Sequence, residues 1–233
     1  MKQFNKDILR LLQQTIEPFP VSAHPVNQVY KVTINEAFQD VQQFEQLVDT
    51  LDNAQEGDIV SIRLSTIGGA LHAIIPLINS MKNTEAFIHT HVESDTASAG
   101  TMIMALSHSL YVNEYATIMY HNVQYGAYGH GGNVEAQVRH TSTTSKKLIR
   151  DLYTGLLTDE EIKRLEDGLE LYKTAEECME RFEARQRTAQ EKEVEAEEAD
   201  IMEMLKQMDA AKEAKPARKP RAKKATTPET EKA

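Results

Sequence analysis

The chain has 233 residues, of which 27% are charged, and its formal net charge is −10. This length allows one domain with a sizeable core plus a tail, and the acidic balance argues against nucleic-acid binding by the whole fold. The single cysteine, Cys178, excludes a disulfide within the chain and favours a reducing, cytoplasmic compartment. Residues 1–20 contain no uncharged apolar stretch of signal-peptide length, and no segment approaches the roughly 18 apolar residues of a membrane span.

Strand and helix patterns alternate after an amphipathic N-terminal segment, residues 1–27. Residues 28–34 alternate apolar and polar side chains, as a half-buried strand does. Apolar residues recur in 36–52 with the 3.6-residue period of a helix that buries one face. A second strand over 59–65 leads through a Gly-Gly turn into a helix over 70–82.

The same alternation continues through the middle of the chain. Residues 86–93 form a third predicted strand, and the small residues of TASAG, 96–100, open an apolar helix. Two short strands are expected at 110–112 and 116–120. This order predicts an α/β domain with a largely parallel sheet and right-handed crossovers.

The composition changes in the last 100 residues. A long polar helix is expected over 134–155, and further helices begin at the caps Thr158 and Thr174. Beyond residue 185 the chain is first acid-rich and then basic, with seven Lys or Arg and one Glu in 211–224. Such a segment buries too little apolar area to fold alone, so 186–233 is expected to be a helical extension followed by disorder.

Three chemically suggestive features lie at the carboxyl ends of predicted strands, where open α/β sheets form their sites. Gly68-Gly69 ends the second strand, Ser98 follows the third and His121 follows the fifth. A Gly-Gly turn lets the backbone approach a ligand closely, and a helix N-terminus offers free N–H groups. The three features predict a serine nucleophile beside an oxyanion hole, with a histidine as general base and a carboxylate needed to orient it.

Four segments resemble the Clp protease proteolytic subunit family over about residues 28–185. They are SIRLSTIGGA, HVESDTASAGTMIMAL, ATIMYHNVQYGAYG and KTAEECMERF. The resemblance implies a Clp/crotonase-like ββα-repeat fold in which the helix at 134–155 is a protruding handle. It also implies rings of seven subunits that stack face to face into a chamber of fourteen.

The resemblance assigns a role to each site residue. Ser98 is the expected nucleophile and His121 the base, and the third triad member falls at Glu170, where the family has aspartate. Asp167, one helical turn earlier, is the second choice. The oxyanion donors are expected from Gly69, with Gly68 beside it, and from Ala99.

The segments also depart from the family pattern in ways that leave room for altered specificity. Ile67 replaces the proline of the Gly-Gly turn, Asn122-Val123 replaces Gln-Pro after the histidine, and Ala99 replaces methionine. None of these changes removes a required functional group. They also leave room for a catalytically silent ring subunit that modulates a true protease.

The resemblance implies that unfolded polypeptide is the substrate and that a hexameric AAA+ ATPase delivers it. The chain lacks a G-x-x-x-x-G-K-[ST] motif, so ATP is expected to be the partner's cofactor and this chain to need none. A viral head-maturation protease of the same fold is an alternative role. An acyl-CoA hydratase shares the wider fold, but the Ser-His pair argues against that activity.

Two other features have less specific interpretations. His89, His91 and Glu93 alternate along one strand and share a face that could bind zinc, but the polar face of a half-buried strand is the preferred interpretation. The basic tail is more typical of a solvated spacer than of a nucleic-acid site. No metal, nucleic-acid or membrane partner is therefore expected.

Overall fold

The computed structural model describes residues 27–213. The predicted N-terminal segment, apart from its last residue, and the end of the predicted tail, 214–233, lie outside the described residues. The chain divides into two compact units between Met179 and Glu180, somewhat before the boundary expected at residue 185.

The first unit contains a six-stranded sheet in the order β1-β2-β3-β5-β6. The remaining strand, β4, pairs with residues 89–92 of β3, and β5 pairs with residues 96–97 of β3. All pairs are parallel except β5 with β6. The predicted α/β class with a largely parallel sheet is thus confirmed. The strands are β1 Val29–Ile34, β2 Ile59–Thr66, β3 Phe87–Ala97, β4 Ser109–Val112, β5 Ile118–Tyr120 and β6 Leu171–Lys173.

Helices connect most of these strands, and none among the described residues is both long and apolar enough to cross a membrane. A 3-10 turn, Val41–Phe44, leads directly into the first of them. Between residues 27 and 213 the helices are α1 Glu45–Asn53, α2 Leu71–Asn83, α3 Ala99–Ala105, α4 Gly131–Tyr153, α5 Asp159–Glu166 and α6 Ala175–Glu213.

The core lies against one face of the sheet. Val60, Ile62 and Leu64 of β2 alternate with more exposed residues and are completely buried, as is Ile88 of β3. Helix α2 buries an apolar stripe in the same core, which includes Ala73, Ile74, Leu77, Ile78 and Met81. The opposite face of the sheet carries polar side chains, among them Arg63, which pairs with Glu93 at 2.5 Å. The alternation along each strand therefore follows a sheet with one covered face.

The predicted helix over 36–52 begins later than its apolar pattern suggested. Asp40 caps the 3-10 turn by accepting from the Gln42 N–H, and Gln43 completes a capping box. Phe38 instead forms a bridge with the Gly-Gly turn: its N–H donates to Gly68 O at 2.9 Å, and its carbonyl accepts from Ala70 at 2.8 Å. An apolar side chain at 38 suits either structure, so periodicity alone could not distinguish them.

Strand β3 extends four residues beyond its predicted end at 93. Leu64 pairs with Val92, but Thr66 pairs with Thr96, so β3 has extra residues in a bulge between these pairs. The polar residues of that bulge look like a loop in the sequence. Past the bulge β3 pairs with β5, which brings the strand up to the residue before Ser98.

The last strand also differs from expectation. Strand β6 was not predicted, because three residues are too few for a periodic signal. Helix α6 continues to Glu213, so the described part of the predicted tail is helical.

Candidate active site

Ser98 occupies a strained turn between β3 and α3. Its φ of 55° and ψ of −125° make it the one non-glycine residue with positive φ among residues 27–213. Its N–H donates to Met119 O at 2.9 Å, and its carbonyl accepts from the Thr101 hydroxyl at 2.7 Å. A strained backbone persists only where its surroundings hold it, and such strain clusters at functional sites.

The small residues around Ser98 are required by close packing. A Cβ on Gly68, whose φ is 82°, would lie 2.7 Å from Ser98 Cβ and 2.8 Å from Ala99 N. A Cβ on Gly100 would lie 2.7 Å from Thr66 Cγ2. The Gly-Gly turn and the start of α3 therefore touch backbone to backbone, which places the N–H groups of both segments beside the serine.

His121 directly follows β5 and lies half-buried next to the serine. Its Nε2 is 2.5 Å from Ser98 Oγ. The pairing of Ala97 with Met119 explains this approach, because it aligns the ends of β3 and β5. The two atoms are in hydrogen-bond contact, at a distance just below the roughly 2.6–3.2 Å typical of a general base and the hydroxyl whose proton it removes.

Two of the three predicted oxyanion residues can donate a hydrogen bond. The N–H groups of Gly69 and Ala99 have no acceptor within the described part of the chain. The Gly68 N–H is already engaged, because it donates to Thr66 Oγ1 at 3.0 Å. Gly68 thus contributes close approach and positive φ, and the available donors are Gly69 and Ala99.

A cleft of about 490 Å³ adjoins both Ser98 and His121. Its apolar lining includes Leu71, Met102 and Met119, while His72 and Asn122 are among its polar residues. An apolar cleft with a few polar groups is the usual environment of a bound side chain.

The structure does not bring a carboxylate into contact with His121. Within residues 27–213, neither hydrogen bond nor ion pair joins this imidazole to an acidic side chain. Asp167 pairs instead with Lys163 at the end of α5. Glu170 is exposed, and its Oε2 accepts from the Tyr172 hydroxyl at 2.7 Å.

The pairing of β5 with β6 ends one position short of Glu170 and His121. In the antiparallel β5–β6 pair, Tyr120 is opposite Leu171 and Met119 is opposite Tyr172. Continued one position beyond the last paired residues, the same register would bring Glu170 opposite His121. Residues directly opposite in such a pair have Cβ atoms about 4.5–5.5 Å apart on the same face. The third triad member therefore stays a prediction, with Glu170 better aligned than Asp167.

The contact with Glu170 also shifts the pKa of the Tyr172 hydroxyl. The hydrogen bond to Glu170 is the main cause that raises the pKa of Tyr172, and the charge of Glu170 and partial desolvation add to it. Tyr172 has no signal in the sequence, because the three residues of β6 are too few for a periodic pattern.

The buried hydroxyls of Thr101 and Tyr153 help to hold the backbone of Ser98 in place. Thr101 Oγ1 lies 2.7 Å from the hydroxyl of Tyr153, at the end of α4, while also donating to the carbonyl of Ser98. The Tyr153 ring meets that of Tyr120, next to His121, edge to face at 5.2 Å. Burial raises the pKa of Tyr153, so its hydroxyl stays neutral and can hold this position. The available signal was a threonine in an otherwise apolar helix.

The alternative metal residues have other partners. His89 Nδ1 lies 3.1 Å from Ser109 Oγ, and His91 Nε2 lies 2.9 Å from Asn113 Oδ1. Glu93 pairs with Arg63. In the described chain, no three His, Cys, Asp or Glu side chains are grouped as a metal site would require.

Comparisons with known proteins agree with the resemblance seen in the sequence. No curated protein matches the chain. The family profile described as Clp protease matches residues 29–199, which is most of the chain and includes both Ser98 and His121. The predicted family is therefore confirmed, and so is the expected Clp/crotonase-like fold class. The chain belongs to the Clp protease family of serine peptidases.

Proposed function

We propose that this chain is the serine endopeptidase subunit of a self-compartmentalising Clp-type protease that cleaves unfolded polypeptide. The observation that carries the proposal is the 2.5 Å contact between His121 Nε2 and Ser98 Oγ at a strained turn. Family membership and the adjoining cleft support the same assignment.

The contacts around Ser98 support an acyl-transfer mechanism. Ser98 Oγ attacks the scissile carbonyl carbon while His121 Nε2 takes the hydroxyl proton. The resulting oxyanion accepts hydrogen bonds from the N–H groups of Gly69 and Ala99. His121 then gives its proton to the leaving amine, and a water activated by the same nitrogen hydrolyses the acyl-enzyme.

Glu170 is proposed as the acid that orients His121 and stabilises its imidazolium form. Its alignment opposite His121 in the strand register favours it over Asp167, which is paired with Lys163. Glutamate carries the same charge as the aspartate of the family pattern, with one more methylene.

Members of this family generally form oligomeric rings that work with ATPases. We expect a cytoplasmic ring of seven or fourteen copies, fed by an AAA+ unfoldase that carries the ATP. The exposed N-terminal part of α4, which includes the apolar Val138, supports a handle that packs against other subunits.

Labelling with a fluorophosphonate probe tests the nucleophile and the base. The wild-type chain should be labelled, whereas Ser98→Ala should not, and His121→Ala should reduce labelling and peptide cleavage to near background. Ser94→Ala is a matched control, because Ser94 is an exposed residue of β3 whose hydroxyl hydrogen-bonds the hydroxyl of Ser65, away from His121. Labelling that persists in Ser98→Ala contradicts the assignment.

The same assay decides between an active enzyme and a silent ring subunit. The absence of a carboxylate contact to His121 among the described residues is the observation that favours the silent subunit. An assembled wild-type ring that the probe does not label, beside an active serine peptidase as positive control, would establish that alternative.

A further inference from the structure

We propose that Tyr172 is a positioning residue that holds Glu170 in a waiting position, so that the triad is completed only when the carboxylate moves from Tyr172 to His121. This inference rests on the proposed function and concerns how its third member is engaged. The observation that carries it is the combination of the Tyr172–Glu170 hydrogen bond with the β5–β6 register.

The four side chains concerned share one face of the β5–β6 pair. Tyr172 pairs with Met119 on the neighbouring strand, and the same register continued by two residues aligns Glu170 with His121. The intervening residues, Tyr120 and Leu171, are buried, so the face that carries these four side chains is the open one. Glu170 can therefore turn along its own strand toward Tyr172 or across to His121.

The length of the glutamate side chain makes both positions accessible. Two residues along a strand are separated by about 6.6 Å, so a carboxylate must extend along the strand to meet the hydroxyl of its i+2 neighbour. An aspartate at position 170 would be one methylene shorter and would meet Tyr172 less readily. The departure from the family's aspartate and the presence of Tyr172 thus belong to the same local arrangement.

The donor of His121 that Glu170 would meet is available. His121 Nε2 faces Ser98, and Nδ1 has no hydrogen-bond partner within residues 27–213. Tyr172 has about 59% of its surface exposed, and Glu170 is also exposed, so water weakens the bond between them. A hydrogen bond of this strength can hold the Glu170 carboxylate at Tyr172 for part of the time and still let it move to His121.

Removing the Tyr172 hydroxyl should therefore increase catalysis. We expect Tyr172→Phe to raise kcat by about 2- to 10-fold, the range that follows from the loss of one ordinary hydrogen bond. KM should stay within about twofold, because neither the hydroxyl nor Glu170 is among the residues that line the cleft beside Ser98. If Tyr172 had a merely structural role, Tyr172→Phe would lower kcat and would not change kcat selectively over KM.

The test uses the full chain, a fluorogenic peptide and the rate of fluorophosphonate labelling. Tyr172→Phe is compared in three backgrounds: wild type, Glu170→Asp and Glu170→Gln. The gain should be present in wild type and fall below about twofold with aspartate, since its shorter side chain meets Tyr172 less readily. It should vanish with glutamine, which has no charge to bring to His121. Tyr115→Phe is the matched control, since Tyr115 is a surface tyrosine with 88% exposure.

The outcomes separate this inference from the proposed function. A Tyr172→Phe rate equal to or below that of wild type overturns the inference, as does an equal gain in the Glu170→Gln background. The proposed function fails separately, if labelling does not depend on Ser98.

Discussion

At the scale of single residues, this site depends on glycines that lack a side chain as much as on Ser98 and His121. Gly68 and Gly100 leave no room for a Cβ between the Gly-Gly turn, Ser98 and the buried threonines Thr66 and Thr96. Their smallness lets two backbone segments meet and point N–H groups toward the serine. The run of tiny residues in TASAG is therefore explained by contact between backbones.

Gly100→Ala should lower both stability and activity. Gly to Ala inside an exposed helix normally gains up to about 1 kcal/mol. Here the new Cβ would lie 2.7 Å from Thr66 Cγ2 and 3.0 Å from Thr96 Cγ2, so overpacking should cost about 1–3 kcal/mol and displace Ser98. Chemical denaturation and probe labelling measure the two effects.

Gly132→Ala is the control for this change. Gly132 lies in the first turn of α4, and a Cβ there would meet no atom within 4 Å. This variant should be neutral or slightly stabilising and should keep full labelling. Equal behaviour of the two variants would contradict the packing explanation.

At the scale of elements, the short strand β6 is held by a nearly buried lysine. Lys173 Nζ lies 2.7 Å from Glu161 Oε1 and 3.3 Å from Glu177 Oε1. Both glutamates also cap helices, because their carboxylates accept from the N–H groups of Thr158 and Thr174. One lysine thus links the starts of α5 and α6 to the strand that follows Glu170.

Lys173→Met should destabilise the first unit strongly. Removing one partner of a buried ion pair costs about 3–5 kcal/mol, and the 44% exposure of the Glu177 side chain reduces the expected loss to about 2–4 kcal/mol. Lys163→Met provides the control, since the Lys163–Asp167 pair is more than half exposed and should contribute less than about 1 kcal/mol. Denaturant titration of both variants distinguishes a structural lysine from a surface one.

At the scale of the whole molecule, the proposed catalytic residues and the C-terminal tail belong to different parts of the chain. Every proposed site residue lies in the unit that ends at Met179. The second unit begins at Glu180, and the residues of α6 from 187 to 204 are exposed. Residues 209–233 contain no large apolar side chain, so they offer little that could stabilise a ring.

Truncation after Lys206 should leave ring size and small-peptide cleavage unchanged. It removes the basic residues of 211–224, which a ring would present in multiple copies, so binding of a partner is the property expected to change. Light scattering and a peptidase assay compare the truncated and full chains. A truncated chain that falls to monomer would show that the tail is structural.

Much of this protein follows from local patterns in the sequence. Alternation in residues 28–34 and 59–65 predicted β1 and β2, because a sheet with one covered face buries every second side chain. The positions of Gly68-Gly69, Ser98 and His121 at predicted strand ends were enough to expect a common site. That expectation required only that parallel strands end at the same edge of a sheet.

Tertiary structure decided where several elements begin and end and which strands pair, because local patterns leave both open. Phe38 bridges the Gly-Gly turn instead of beginning a helix, and β3 continues through a polar bulge, since pairing with neighbouring strands outweighs the local preference of each segment. The three residues of β6 form a strand only because β5 lies beside them. Continued by one position, that pairing aligns Glu170 with His121, and it leaves Tyr172 in contact with the same carboxylate. A register between distant strands has no signal in either strand alone.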